Sequence, residues 1–263
     1  MKVVILCGGK GIRFEDSLDF IPKGMVRIGH RPLLWHVMKM YSRYGYNEFI
    51  LALGVGGESV RDYFLQYNEN INDLTLILGQ PKLTYNTQNQ EEDWKITFVE
   101  TGEESGTGAR LFRCQKYLDT EDFLLAYSDC LADIDIEKLV SFHKTQNRIA
   151  TVSGVFPPFR YGEFIMEEGK PISYKRISKL HSQNGLVNGG FMVLKNKIFD
   201  YLTPYNECIL ENEVFENLVK DNKINIFEHN GFWQCIDNDR DRKWLNKSFA
   251  ENSEFWLFKK NND

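Results

Sequence analysis

Residues 3–25 read VVILCGGKGIRFEDSLDFIPKGM. Val3 to Cys7 is a short apolar run with the length and β-branched content of a buried strand. Gly8, Gly9 and Gly11 follow at once, then Arg13, and Lys23 stands ten residues further on. Glycines at such a turn let main-chain N–H groups approach an anion closely, because no Cβ intervenes. Arg13 and Lys23 add the positive charge that a polyphosphate requires. The stretch therefore reads as the first strand of an α/β domain followed by a loop that cradles a triphosphate. A plain tight connection uses the same glycines: Phe14 breaks the G-x-G-x-x-G spacing, and G-x-x-x-x-G-K-[ST] is absent. The length of the polar loop and its two cations favour binding, since long ordered loops in compact domains usually carry function.

Working outward, Pro32 stands at a helix start, and Leu33, Leu34, Val37, Met38, Tyr41 and Tyr44 keep helical spacing. Strands are expected at Glu48–Leu53, Leu74–Leu78, Trp94–Val99, Phe123–Tyr127 and Ile149–Val155, with helices at 58–67, 108–117 and 134–145. The polar stretch 81–93 reads as a surface excursion. Alternating strands and helices imply an α/β fold with a mostly parallel sheet flanked by helices on both faces. After Pro157-Pro158 the pattern changes to short strands, Tyr161–Met166, Ile172–Arg176 and Leu186–Leu194, then helices at 212–220 and 238–249. This C-terminal half is expected to be a strand-rich substrate or lid region. No linker separates it, so the chain reads as one domain, with a nucleotide-binding half at 1–156 and a substrate and lid half at 157–263.

A chain of 263 residues with 42% apolar and 14% aromatic residues has ample material for a core. Its net charge of −5 argues against a nucleic-acid binder. No apolar run approaches the roughly 20 residues of a membrane span, and the first strand begins directly after Met1-Lys2, with no leader pattern. Cys7, Cys114, Cys130, Cys208 and Cys235 are scattered, with no C-x-x-C pair. That usage suits a reducing cytoplasm, with each cysteine expected as a small core hydrophobe and neither a disulfide framework nor a zinc site. The histidines form no metal-binding spacing.

Asp129 stands immediately after the apolar run of LLAYSDCLADID. A carboxylate there is a hard oxygen donor suited to Mg²⁺, or else a helix cap or solvated turn. Asp135 reads as the cap of the next helix, with Asp133 beside it. Asp237, in GFWQCIDNDRDR, follows another apolar segment and could share one metal with Asp129, with Asp239 and Asp241 as competitors. Lys179 and Asn188 lie in polar stretches of the second half, where surface and turn roles compete with substrate contact. The small residues of TGEESGTGAR, residues 101–110, could wrap a planar base or simply form a loop. No Ser-His-Asp or Cys-His pairing is suggested. A phosphate attacking phosphorus needs none, because the nucleophile is already an anion; it needs positioning and positive charge.

With these residues assembled, the sequence resembles the sugar-1-phosphate nucleotidyltransferases, and among them the glucose-1-phosphate cytidylyltransferases most. The matching segments are VVILCGGKGIR, IPKGMVRIG, PLLWHVMKMYSRYG, WKITFVETGEESGTGARL, FLLAYSDCLADI, LVNGGFMVL and FEHNGFWQCID, in order along nearly the whole chain. The resemblance implies a Rossmann-like sheet and the reaction of CTP with a sugar 1-phosphate to give a CDP-sugar and pyrophosphate. It implies that Leu6, Gly8, Gly9, Gly11 and Arg13 hold the nucleotide, with Thr107, Gly108, Arg110 and Ser128 beside them. Lys23 would act with Arg13 on the charge of the reacting phosphates, and Asp129 and Asp237 would hold Mg²⁺. Lys179 would hold the sugar phosphate and Asn188 the sugar. Such enzymes often form homo-oligomers, so self-association near the cleft is a further expectation.

The departures concern the acceptor and the metal. Ile12 and Ile21 replace a hydroxyl and a lysine of the family pattern, and Ser128-Asp129-Cys130 replaces Gly-Asp-Gly. Ile177-Ser178-Lys179-Leu180 replaces Glu-Glu-Lys-Pro, which removes an acceptor for sugar hydroxyls while keeping the lysine. Two alternatives follow: a cytidylyltransferase for another phosphorylated acceptor, such as a different sugar phosphate, a polyol phosphate or a phosphonate, or a non-catalytic nucleotide-binding module.

Overall fold

The computed structural model describes residues 1–9, 12–13, 20–79, 82–88, 92–156, 162–167, 170–176, 185–252 and 256, with backbone alone at 12–13, 20, 162–167 and 170–176. Its framework is a seven-stranded sheet of β1 (Val3–Leu6), β2 (Glu48–Leu53), β3 (Lys95–Glu100), β4 (Asp122–Tyr127), β5 (Ala150–Val155), β6 (Val187–Lys195) and β7 (Ile224–His229). The spatial order is β3-β2-β1-β4-β6-β5-β7. β1 runs parallel to both β2 and β4, with Val3 beside Phe49 and Leu124. Only β6 is antiparallel to its sheet neighbours, pairing Phe191 with Ala126 and Met192 with Val152. The sheet is thus mostly parallel and continuous through both halves of the chain.

Alternation along β1 assigns its side chains to two cores. Val3 and Ile5 join Phe49 and Leu51 under helices α1 (Leu33–Ser42), α4 (Ile136–Gln146) and α6 (Asp239–Glu251). Val4 and Leu6 join Ile50 and Ala52 against α3 (Thr107–Cys114) and α5 (Phe215–Lys220) on the other face. Helix α2 (Gly57–Leu65) follows β2. Burial on both faces explains why β1 and β4 read as unbroken apolar runs instead of alternating patterns. Pro32 precedes the first helical residue of α1 with φ −67°, a position that needs no N–H. Asp135 caps α4 by accepting from Lys138 N at 3.0 Å.

Three segments depart from the sequence expectations. Leu74–Ile77 is a strand but not a sheet member: it pairs in an antiparallel hairpin with Lys82–Tyr85, inside the stretch read as a polar excursion. Leu76 and Ile77 stay exposed there, so apolar content marked a strand without marking its layer. The helix expected from 212 begins at Phe215, after a π-type turn at Leu210–Val214 with Asn212 at φ −99°, ψ −110°. Two short strands, Cys130–Ala132 and Trp233–Cys235, pair with each other outside the main sheet. Their three-residue length is below what a sequence pattern resolves.

Candidate active site

The strand order reverses at β1, whose neighbours continue the sheet in opposite directions, and crevices beyond such strand ends are the usual ligand sites of open α/β sheets. A cavity of about 700 Å³ opens there, lined by Leu6 at the end of β1 with Gly8 and Gly9 after it, and by Tyr127 at the end of β4 with Ser128 and Asp129 after it. Thr107 and Arg110 of α3, Asn188 of β6 and Lys23 complete the named lining.

Lys23 sits in a 3₁₀ turn, Lys23–Met25. A Cβ on Gly24 would fall 3.0 Å from Ser128 Cβ, so glycine lets this turn lie against the end of β4. From there the Lys23 ammonium donates to Asp129 Oδ2 at 3.1 Å and to Asp237 Oδ1 at 2.8 Å. The two aspartates are 108 residues apart in sequence, and the short strand pair brings them together. Ile236 N donates to Asp129 O at 2.9 Å, and Cys130 stands opposite Cys235, so Asp237 emerges beside Asp129. Side-chain exposures of 27% for Lys23, 24% for Asp129 and 55% for Asp237 place the cluster at the cavity wall, within reach of solvent.

Burial pushes the Asp129 carboxyl above its ordinary range, with the Lys23 ammonium opposing and Asp237 adding to the shift. Burial presses Lys23 downward, but the two carboxylates outweigh it and hold the ammonium charged. The neighbouring acids have other partners. Asp239 pairs with Arg242 Nε at 2.7 Å and Lys243 at 2.5 Å, Asp241 accepts from Asp237 N at 3.0 Å, and Asp133 lies 3.1 Å from His229. Two hard oxygen donors converging on one cation are a donor set that suits a divalent ion such as Mg²⁺.

The glycines divide their work. Gly9 has open space around its Cβ position and faces the cavity. Gly8 instead makes room for Arg110: a Cβ there would lie 2.2 Å from the guanidinium carbon. Arg110, 3% exposed, donates from Nη1 to Leu53 O, Thr101 Oγ1 and Gly102 O and from Nη2 to Glu103 O. Its fork ties the 101–103 loop to the end of β2. Gly108 and Gly106 admit the Cys208 carbonyl, and Ala109 N donates to it at 3.2 Å. Thr107 Oγ1 accepts from Leu210 N at 2.9 Å and donates to Glu211. Of the expected site residues, Gly11 and Lys179 lie outside the described residues, as do Ile177, Ser178 and Leu180; Arg13 is described only as backbone, paired with Phe20.

Tyr127 and Trp233 of the cavity lining, and Glu211, which bonds to Tyr127, are not among the residues expected from the sequence. Tyr127 donates its hydroxyl proton to Glu211 and accepts from Asn188 Nδ2 at 3.1 Å, while Asn188 Oδ1 accepts from Gly190 N at 2.9 Å. Burial and then the Glu211 charge push the Tyr127 phenol well above its ordinary value. Trp233 donates Nε1–H to Gly189 O at 2.8 Å and forms part of the cavity wall. Tyr127 could have been suspected from its place just before Ser128-Asp129; Glu211 lies in a helix-like stretch that marks nothing.

One cysteine expectation needs correction. Cys7, Cys114 and Cys208 are buried and free, but Cys130 and Cys235 form a disulfide, with Cα atoms 4.1 Å apart. The strand register places them opposite one another, which spacing of 105 residues along the chain could not reveal. Among the described residues, no helix is long and apolar enough to cross a membrane.

A profile described as nucleotidyl transferase matches residues 2–236. The chain is 41% identical over 264 residues to a "probable glucose-1-phosphate cytidylyltransferase" of Bacillus subtilis, covering 97% of this chain and 99% of that one. It is 36% identical over 257 residues to the glucose-1-phosphate cytidylyltransferase of Salmonella typhi, covering 97% and 98%. Among solved structures, HddC from Yersinia pseudotuberculosis superposes with a TM-score of 0.67 at 22% identity, covering 94% of this chain and 99% of that one.

Proposed function

Since the chain belongs to the nucleotidyl transferase family, we propose that it transfers the cytidylyl group of CTP to a sugar 1-phosphate, with α-D-glucose 1-phosphate the default acceptor. The observation that carries this reading is the Lys23 ammonium held between Asp129 and Asp237 at the wall of a nucleotide-sized cavity. A phosphate oxygen of the acceptor attacks the α-phosphorus in line, one P–O bond forms, the bond to the β-phosphate bridge breaks, and pyrophosphate leaves. No proton has to be taken from the nucleophile, so a site without a general base suffices.

Each residue has a part in that reading. Gly9 offers open backbone to the phosphates, and Lys23 offsets the repulsion between two anions as they approach. Asp129 and Asp237 would hold Mg²⁺, which when bound neutralises triphosphate charge. Leu6, Ser128, Thr107 and Gly108 shape the nucleotide pocket, and Arg110, through the four oxygens it holds, positions the 101–103 loop. Arg13 and Gly11 are assigned to the triphosphate, Lys179 to the acceptor phosphate and Asn188 to the sugar, on the strength of the matched motifs. Residues 1–156 supply the nucleotide side and 157–263 the acceptor side. Cytoplasmic residence and self-association belong to the same reading.

A second reading, with another phosphorylated acceptor, is favoured by Ser178 where the family pattern has a carboxylate. Pyrophosphate release is measured with each of the four nucleoside triphosphates against a panel of phosphorylated acceptors and Mg²⁺. CTP with glucose 1-phosphate is expected to give the highest rate. A different best acceptor with CTP selects the second reading, and no pyrophosphate from any pair refutes both.

A further inference from the structure

The Cys130–Cys235 bond lies inside the reactive cluster. Cys130 directly follows Asp129, Cys235 lies two residues before Asp237, and both sulfur-bearing residues line the cavity. The ligand-type atoms of Asp129, Cys130 and Cys235 all lie within 4.8 Å of one another. The two oxygens of Asp129 face different ways: Oδ2 accepts from Lys23 at 3.1 Å, whereas Oδ1 lies 3.4 Å from Cys130 Sγ. One carboxylate thus stands between a cation position and a pair of sulfurs.

We propose that this disulfide is reversible and that its reduced form, with Asp129, binds one thiophilic divalent cation of the zinc class. An exogenous dithiol supplies two electrons and two protons; the S–S bond breaks, Cys130 and Cys235 become thiols, and the reductant closes to its own disulfide. The incoming cation displaces both thiol protons to solvent and forms two metal–thiolate bonds plus one to Asp129 Oδ1, with a fourth position left to water. Two soft donors and one carboxylate favour zinc or cadmium over magnesium, whose preference is for oxygen alone. While Cys130 and Cys235 are bonded to each other neither can offer a thiolate, so the site exists only after reduction. Backbone pairing of Cys130–Ala132 with Trp233–Cys235 holds the sulfurs adjacent once the bond is gone.

Binding of this cation does not depend on the proposed transfer reaction, but its consequence does: it places a second cation on the carboxylate that the reading assigns to Mg²⁺. The test is a Cd²⁺ titration of the full chain, freed of dithiol under anaerobic conditions, followed by thiolate-to-cadmium charge-transfer absorption. Accessible thiols are counted in denaturant before and after reduction. The thiol count is expected to rise by two with unchanged far-UV circular dichroism, and one Cd²⁺ per chain is expected to give the absorption band. The oxidised chain and the Cys130→Ser, Cys235→Ser double variant, which keeps Cys7, Cys114 and Cys208, are expected to lack it. An unchanged thiol count, no band after reduction, or an equal band in a double variant that retains the wild-type circular dichroism would each overturn the inference. If the double variant does not fold, Asp129→Asn in the reduced chain is the control: weaker Cd²⁺ binding supports the site and unaltered binding overturns it. A chain that binds Cd²⁺ in this way yet, oxidised and free of Cd²⁺, releases no pyrophosphate with Mg²⁺ keeps the site and refutes the transfer reading instead.

Discussion

Gly8→Ala tests whether the glycine turn serves Arg110 as described. The added Cβ would lie 2.2 Å from the guanidinium carbon and from Nη1 and 2.7 Å from Nε. Carbon atoms prefer about 3.5–4.0 Å, so the guanidinium must recede by roughly an ångström or more. A displacement of that size lengthens its bonds to Leu53 O, Thr101 Oγ1, Gly102 O and Glu103 O, now 3.1, 2.8, 2.6 and 2.8 Å, beyond hydrogen-bond range for at least two of them. Bonds to a charged donor contribute about 1.5–3 kcal/mol each. Part of that is recovered as the head turns into the wet cavity, leaving a loss of about 3 kcal/mol. Arg110→Ala costs about the same, since it strands the same acceptors. The double variant should then lose about 3 kcal/mol and not about 6, because the clash disappears with its partner. Urea unfolding followed by circular dichroism reads this as a midpoint shift of about 1 M for either single variant and no further shift for the pair. Additivity within about 0.5 kcal/mol would refute the steric coupling and return Gly8 to a purely phosphate-facing role.

The remaining predictions concern the site and the α1 core. Lys23→Ala should lower kcat by about 100-fold or more while CTP affinity falls far less, because its charge acts most as the phosphates approach; equal losses in affinity and turnover would contradict that role. Tyr127→Phe removes the hydroxyl between Glu211 and Asn188, and should raise the acceptor KM more than that for CTP while costing about 1–2 kcal/mol of stability. His36 is 2% exposed, donates Nε2–H to Ile28 O at 2.9 Å and packs on Trp256 and Phe249. Burial lowers its pKa from 6.5 to about 4, so the unfolded chain takes up the proton first and stability falls as pH drops from 6.5 towards 4. Between pH 7.5 and 4.5 the loss from this group is about 2.5 kcal/mol, and His36→Leu should shrink the measured pH dependence by that amount; an unchanged slope would show that the imidazole is not held neutral.

What the sequence disclosed followed from the range of the interaction. Val3–Leu6 and Asp122–Tyr127 are buried on both faces, so their composition alone marks them as inner strands. Pro32 and Asp135 act within one turn of their own positions and are readable for the same reason. Asp129 is legible because a carboxylate ends an apolar strand. Its meeting with Asp237 is not, because it depends on the register of two three-residue strands. The disulfide escapes notice for that reason too. Gly8 and Arg110 show a subtler limit: the motif singles out both residues, but their relation is a packing fact, a side chain occupying the space of a missing Cβ. Leu74–Ile77 shows that β propensity identifies a strand without saying which partner it takes.

The most direct measurement is the Mg²⁺ dependence of pyrophosphate release from CTP and glucose 1-phosphate, compared among the wild-type chain, Asp129→Asn and Asp237→Asn. If the two carboxylates that share Lys23 also share the reaction's cation, each variant requires far more Mg²⁺ for half-maximal rate or loses activity altogether. Wild-type Mg²⁺ dependence in either variant would contradict the joint site.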